Sequence, residues 1–214
     1  MTDDMGHSIV WHPEAMAAGA SETLRALRDR GLTVDAYLAG GTALALHFGH
    51  RISVDLDIFM PTPFEEEGLL AQLQNLPGFS LTAKAPSTIH AVIQGTKVSF
   101  LGYSYPMLFP VAPFQGVAVA DARDIACMKV SAIASRGAKR DFIDLFIASE
   151  RYGLQNILNW FSRKYEKIGY NRLHVIKSLT FFADAEKDPL PHLLVPLAWD
   201  EVKSYLRGQV PALL

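Results

Sequence analysis

The chain has 214 residues, enough for one large domain or two small ones, and half of it is hydrophobic, which allows a sizeable core. A formal charge of −2 and a pI near 6.4 are not the global signature of an electrostatic nucleic-acid binder, although a local basic face is compatible with them. The single cysteine, Cys127, excludes an intramolecular disulfide and a multi-thiolate zinc site; no apolar run approaches a membrane span, and the acidic start Met1-Thr2-Asp3-Asp4 lacks the pattern of a signal peptide, so a cytoplasmic protein with no membrane partner is expected.

In chain order, Pro13 to Arg30 reads as a helix, with Pro13 in its first turn and Gly31 as a stop. Val34 to Ala39 reads as a short strand that ends at Gly40-Gly41, and Thr42 to His50 as a short apolar helix with Thr42 in a capping position. Apolar and polar residues then alternate through Arg51-Ile52-Ser53-Val54-Asp55-Leu56-Asp57-Ile58, the period of a half-buried strand. Ile52, Val54, Leu56 and Ile58 are expected to face the core, and Arg51, Ser53, Asp55 and Asp57 to face the other way. The two carboxylates would stand side by side, roughly 6.5–7 Å apart by Cα spacing. Aspartate is disfavoured in strands and neighbouring anions repel, so this pattern points to a cation held against them.

Pro63 to Leu76 is expected to be helical, and Phe79–Lys84, Ile89–Gln94 and Lys97–Tyr103 to be strands, the last two joined by the tight turn Gln94-Gly95-Thr96. The prolines at 106, 110 and 113 mark the expected edge of the sheet-containing part. Beyond them the pattern is helical, over about 121–136, 139–152, 154–167, 171–183 and 199–207, with Asp188-Pro189-Leu190-Pro191 as a linker. The expected architecture is α+β: a small mixed sheet with flanking helices over 1–115, followed by a helical domain over 116–214.

Two glycines between a strand and a helix let the backbone approach a ligand and expose N–H groups at a helix start, an arrangement that binds phosphate. A Gly-Gly pair alone is also compatible with a plain turn. Twelve residues separate Thr42 from Asp55, the length of one short helix and a strand entry, so glycines and carboxylates would share a cleft. Oxygen-only ligands suit Mg²⁺, which is usually held by one or two carboxylates plus substrate phosphates. The bland alternative is a solvent-facing edge whose acids deter aggregation. Ser53 fits either a donor to phosphate or metal-bound water or a solvated serine, and Arg51 either a phosphate ligand or a partner of Asp55. Lys129 falls within the helical stripe Ile125, Met128, Ala132, Ile133, so it must snorkel or be paired. Arg136, Lys139 and Arg140 make the most basic local segment; with Asp141 and Asp144 they form either a solvated salt-bridge cluster or a seat for the anion of a nucleotide or an RNA backbone.

Taken together, Gly40-Gly41-Thr42, Arg51-x-Ser53-x-Asp55-x-Asp57, Lys129 with Arg136, and Arg140-Asp141-x-x-Asp144 resemble the nucleotidyltransferase toxins of the AbiEii/AbiGii type, within the DNA-polymerase-β-like nucleotidyltransferase superfamily. The ordered set spans positions 40 to 144, about half of the chain. The resemblance implies a nucleotidyltransferase-type sheet, Mg²⁺ on Asp55 and Asp57, and an NTP triphosphate cradled by Gly40, Gly41 and Thr42 with Ser53, Arg136, Arg140 and Asp141 around it. It implies that Lys129 reaches the nucleotide phosphates and that Asp141 or Asp144 completes the catalytic set. One position departs from the superfamily pattern: Ser99 stands where a third carboxylate is expected. A single Mg²⁺, recruitment of Asp144, or His90 as base are the ways around it, and His90 is equally readable as a plain strand residue.

The expected function is Mg²⁺-dependent transfer of NMP from an NTP to an acceptor hydroxyl. RNA or tRNA is the implied acceptor, with the helical part (Arg136, Lys139, Arg140, Arg163, Lys164, Lys167) as its platform and an antitoxin protein as partner. The competing readings are a nucleotide-binding or protein-interaction module with impaired catalysis, and a transferase acting on a small-molecule hydroxyl.

Overall fold

In the computed structural model, which describes residues 9–213, a seven-stranded mixed sheet carries helices on its flanks and passes into a helical layer. The acidic start Met1–Asp4 lies outside the described residues. The strands are β1 (Tyr37–Ala39), β2 (Leu56–Met60), β3 (Ser80–Ala85), β4 (Thr88–Ile93), β5 (Thr96–Gly102), β6 (Ala112–Phe114) and β7 (Val117–Val119), in the spatial order β3-β4-β5-β2-β1-β7-β6. β2 pairs parallel with β5 and β1 parallel with β7; the other neighbours are antiparallel. The helices are α1 (Ala18–Asp29), α2 (Gly40–Phe48), α3 (Glu66–Leu73), α4 (Ala122–Arg136), α5 (Lys139–Tyr152), α6 (Leu154–Lys164), α7 (Arg172–Ser178) and α8 (Trp199–Gln209). Among the described residues, no helix is long and apolar enough to cross a membrane.

Local chemistry accounts for the differences from the sequence expectations. Pro13 opens a 3-10 turn over Pro13–Ala15 rather than α1. Met16 and Ala17 are then held extended, bridging and hydrogen-bonding to Ser53, so the helix waits until Ala18. Asp35 takes φ +57, which confines the first strand to Tyr37–Ala39. Thr42 is not a cap: α2 begins at Gly40, with Ala39 as N-cap.

The aspartate segment is regular only from Leu56 onward. Upstream, the Ser53 N–H donates to the Ala15 carbonyl at 2.8 Å and the Ile52 N–H to the His192 carbonyl at 2.8 Å. These off-ladder bonds break the two-residue period. Val54 is 55% exposed instead of core-facing, and Arg51 and Ser53 are buried instead of outward. The Gln94-Gly95 hairpin turn forms as expected, with φ +51 and +81. A second hairpin of the same kind, with φ +49 at Gln115 and +82 at Gly116, joins β6 to β7. Its strands fall at the expected division at 115/116, and β7 belongs to the sheet. Sequence periodicity missed both strands because each has three residues and Pro113 interrupts the first; a proline is tolerated there because β6 is an edge strand.

Helix α4 is the seam. Ile125 packs into the cluster built from the sheet, α1 and α2, whereas Ala126, Cys127, Val130 and Ile133 pack into the cluster of α5 to α8. A helix buried on two sides does not show a single apolar stripe. At its first turn Asp124, fully buried, accepts from the backbone N–H groups of Leu108 (3.1 Å) and Phe109 (2.9 Å) and pairs with Lys164 at 2.7 Å. Lys164 also donates to the Pro106 carbonyl at 2.8 Å. It therefore ties the proline-rich loop to α4 and α6 and is not part of a basic surface. Lys139 is likewise buried, its amide and ammonium both spent on Asp188. Lys164→Met leaves Asp124 buried without its cation and is expected to cost about 3–5 kcal/mol, read by urea unfolding; exposed Arg163→Met is expected to stay within about 0.5 kcal/mol.

Candidate active site

Helix α2 starts hard against the carboxylates. Gly40 sits at φ +69, and a Cβ there would lie 2.4 Å from Asp57 Oδ2. A Cβ on Gly41 would lie 2.4 Å from Arg51 Nη2. Each glycine is thus required by a specific neighbour, and the first also by its backbone angle. The Thr42 hydroxyl donates to the Asp55 carbonyl and lies 2.8 Å from Ser53 Oγ. Both residues are buried, so they lock the helix start to the aspartate segment. The result is a helix N-terminus, with its unpaired N–H groups and positive dipole end, beside two aspartates.

Gly40, Gly41, Thr42, Ser53, Asp55, Asp57, Lys129, Arg136, Arg140 and Asp141 all line one cleft of about 830 Å³ between the sheet and α4–α5. Asp55 is 30% exposed at its side chain and lies 3.6 Å from Arg140 Nη1. Burial pushes the Asp57 carboxyl up from its ordinary value, while Lys129 and a hydrogen bond from Ser99 pull the other way.

Behind this wall lies an ion network that the sequence placed only in part. Arg51 does not pair with Asp55; it grips Asp144 with two bonds, Nε at 2.7 Å and Nη2 at 2.8 Å. His50 Nε2 reaches the same carboxylate at 2.8 Å. Lys129 bridges Asp144 (2.6 Å) and Asp141 (2.7 Å), and Arg136 closes on Asp141 at 2.9 Å. Burial opposes the charge on Asp144, yet Arg51 and Lys129 hold its carboxyl well below the usual range; Asp141 is lowered against burial by Lys129 and Arg136. Three cations face two anions, so a surplus positive charge backs Asp57. Asp144 is 0% exposed and does not line the cleft. Its place is that of an anchor for Arg51 and Lys129.

Several other walls of the cleft come from residues with no signal in the sequence pattern. Tyr103, Met128 and Tyr165 line it, and so do Pro191 and His192, brought there because the 192–194 segment hydrogen-bonds back to residues 50–52. Lys97, Ser99 and Leu101 of β5 line the cleft at the two-residue period of the strand, and Tyr103 follows just past its end. Among the described residues no group of three or more His, Cys, Asp or Glu gathers as a metal site. The donor set is a carboxylate pair beside a helix start with open N–H groups, which fits a hard cation that completes its shell from substrate and water.

Gly40→Ala is expected to reduce transfer at least about 100-fold by displacing Asp57 from the helix start, and the strained φ is expected to cost about 1–3 kcal/mol. Activity and thermal melting of the same variant check both parts; wild-type turnover in Gly40→Ala would contradict them.

Comparison with known proteins points to a family and a fold. Residues 22–111 match the family described as nucleotidyl transferase AbiEii toxin, Type IV TA system. The chain is 33% identical over 195 residues to the uncharacterised protein aq_aa25 of Aquifex aeolicus (strain VF5), covering 88% of this chain and 93% of that protein. In fold it is similar to the nucleotidyltransferase toxin MenT4 of Mycobacterium tuberculosis H37Rv, with a TM-score of 0.54 and 17% identity over 91% of this chain and 84% of that one. The antibiotic-resistance factor ANT(2'')-Ia gives a TM-score of 0.52 and 15% identity over 69% of this chain and 89% of that one.

Proposed function

Because the chain belongs to the AbiEii nucleotidyltransferase toxin family, we propose that it moves a nucleoside monophosphate from an NTP to an acceptor hydroxyl, with release of pyrophosphate. The observation that carries this reading is the contact of Asp57 with the Gly40 turn inside one cleft. Phosphoryl-type transfer is mainly positioning and charge neutralisation, and this cleft offers both. The N–H groups at the start of α2 receive phosphate oxygens, and Arg136 and Arg140, each about half exposed at the side chain, neutralise the triphosphate from the opposite wall. Lys129 acts at one remove: its ammonium is bound to Asp141 and Asp144 and contributes field at Asp57 rather than a direct grip. Asp55 and Asp57 would hold Mg²⁺, which when bound supplies positive charge to the reacting phosphate.

An RNA acceptor, such as the 3′ end of a tRNA, suits a cleft open between the sheet and a wall bearing Arg136 and Arg140. The family's toxin character suggests a cytoplasmic site of action and an antitoxin protein as partner. In this reading 1–115 is the transferase part and 116–214 the acceptor-facing part, which also lends Arg136 and Arg140 to the triphosphate. Incubation with total RNA, Mg²⁺ and each labelled NTP in turn is expected to label RNA. NTP binding with no label on RNA would favour a nucleotide-binding module, and label on a small-molecule hydroxyl alone would change the acceptor class.

A further inference from the structure

Across the floor of the cleft, three adjacent strands set Asp57, Ser99 and His90 in one row. Asp57 stands opposite Ser99 between β2 and β5, and Ser99 opposite His90 between β5 and β4. Asp57, Ser99 and His90 all line the cleft, whereas their sequence neighbours Leu56, Ile58, Phe100 and Ile89 are fully buried and do not. The Ser99 side chain stands beside Asp57 in the β2–β5 register, where it favours the ionised carboxylate, and its hydroxyl lies 3.1 Å from His90 Nδ1.

Donor counting gives this chain a direction once the Ser99 proton is turned toward the neighbouring carboxylate. An ionised carboxylate only accepts, and a serine hydroxyl has one proton to give. Ser99 gives it to Asp57 and is left as acceptor toward the imidazole. The bond to His90 then requires the proton on Nδ1. A neutral imidazole protonated at Nδ1 carries a bare lone pair on Nε2. His90 lines the cleft and is part-exposed, so that lone pair is open to a bound molecule.

We propose that His90 Nε2 is the proton acceptor for the attacking hydroxyl, and that Ser99 is the positioning residue that sets its tautomer. The assignment rests on the transferase reading above. In the step, the acceptor oxygen forms a bond to the α-phosphorus, and the bond from that phosphorus to the bridging oxygen of the leaving pyrophosphate breaks. The hydroxyl proton passes to Nε2, giving an imidazolium that Asp57 stabilises through Ser99, and the proton is then released to water.

The first test needs no turnover. Long-range ¹⁵N NMR of the whole protein at about pH 8.5, where an ordinary imidazole is neutral, is expected to show His90 protonated on Nδ1. The signal is assigned by its loss in His90→Gln, and Ser99→Ala is expected to abolish the preference. A wild-type His90 protonated on Nε2 overturns the proposal. The second test measures transfer from the four α-labelled NTPs with Mg²⁺ to total bacterial tRNA. His90→Gln keeps a donor for Ser99 and so rescues a packing role but not a proton-accepting one. The expected result is a loss of at least about 100-fold in rate with unchanged affinity for non-hydrolysable NTP analogues, and partial recovery of His90→Ala by added imidazole. Full activity of His90→Gln overturns the proposal. A wild-type protein that labels no tRNA counts against the transfer reading instead, and the tautomer then decides the assignment by itself.

Discussion

Asp57→Asn is expected to lower nucleotidyl transfer by about 10³-fold or more while leaving the protein folded and no less stable than wild type. The two halves of this outcome have one cause. Asp57 is held in a desolvated position where burial disfavours its charge, so the ionised carboxylate is a cost to the fold that function retains. Asparagine has nearly the same shape, still fits against Gly40 and still accepts the Ser99 hydrogen bond, but it is a far weaker ligand for a hard cation. Asp55→Asn is expected to lose activity to a similar degree. It loses only a part-exposed contact with Arg140 at 3.6 Å, so its stability should change by less than about 1 kcal/mol. Labelled-NTP transfer and thermal melting on the same preparations separate the two effects. Undiminished transfer in either variant would remove that aspartate from the chemistry.

Asp144→Ala is expected to show the opposite profile, a loss of about 3–5 kcal/mol of folding stability that carries activity down with it. Arg51, Lys129 and His50 all converge on this one fully buried carboxylate, and its removal leaves the buried Arg51 without its carboxylate and Lys129 with Asp141 alone. Asp144→Asn, which retains hydrogen-bond acceptance, should be milder. The same network predicts acid sensitivity. The folded-state pKa values of Asp144 and Asp141 lie below their ordinary value of 3.8, so their contribution is fully present above that value and is lost as pH falls through the lowered ones. Urea midpoints recorded from neutral pH down to about pH 2 should fall steeply at the acid end in wild type and less so in Asp144→Asn. A variant that melts like wild type yet transfers nothing would make Asp144 a participant in catalysis rather than the anchor described here.

Much of this arrangement was readable in the residues. The Gly-Gly turn, the Asp-x-Asp spacing and the ordered basic helix pair carried the family resemblance, and the α+β mixture follows from two different periodicities along the chain. The failures have physical causes. The alternation through 51–58 is genuine in sequence, but backbone bonds to Ala15 and His192 kink it before Leu56, and Arg51 turns inward because a buried carboxylate 93 residues away receives it. No local pattern encodes that partner. Lys164 and Lys139 look like surface charges in sequence and are buried because Asp124 and Asp188 hold them. The β6–β7 hairpin is too short for periodicity to register. The row Asp57, Ser99, His90 depends on the register of three strands, which a single sequence does not specify.

The most direct measurement of the central claim is calorimetric titration of non-hydrolysable α,β-methylene NTP analogues into the wild-type protein, Gly40→Ala and Asp57→Asn, each with and without Mg²⁺. The account predicts binding by the wild type that depends on Mg²⁺ and is lost in both variants. Equal binding by all three proteins, indifferent to the cation, would mean that the triphosphate does not sit between the glycine turn and the aspartate pair.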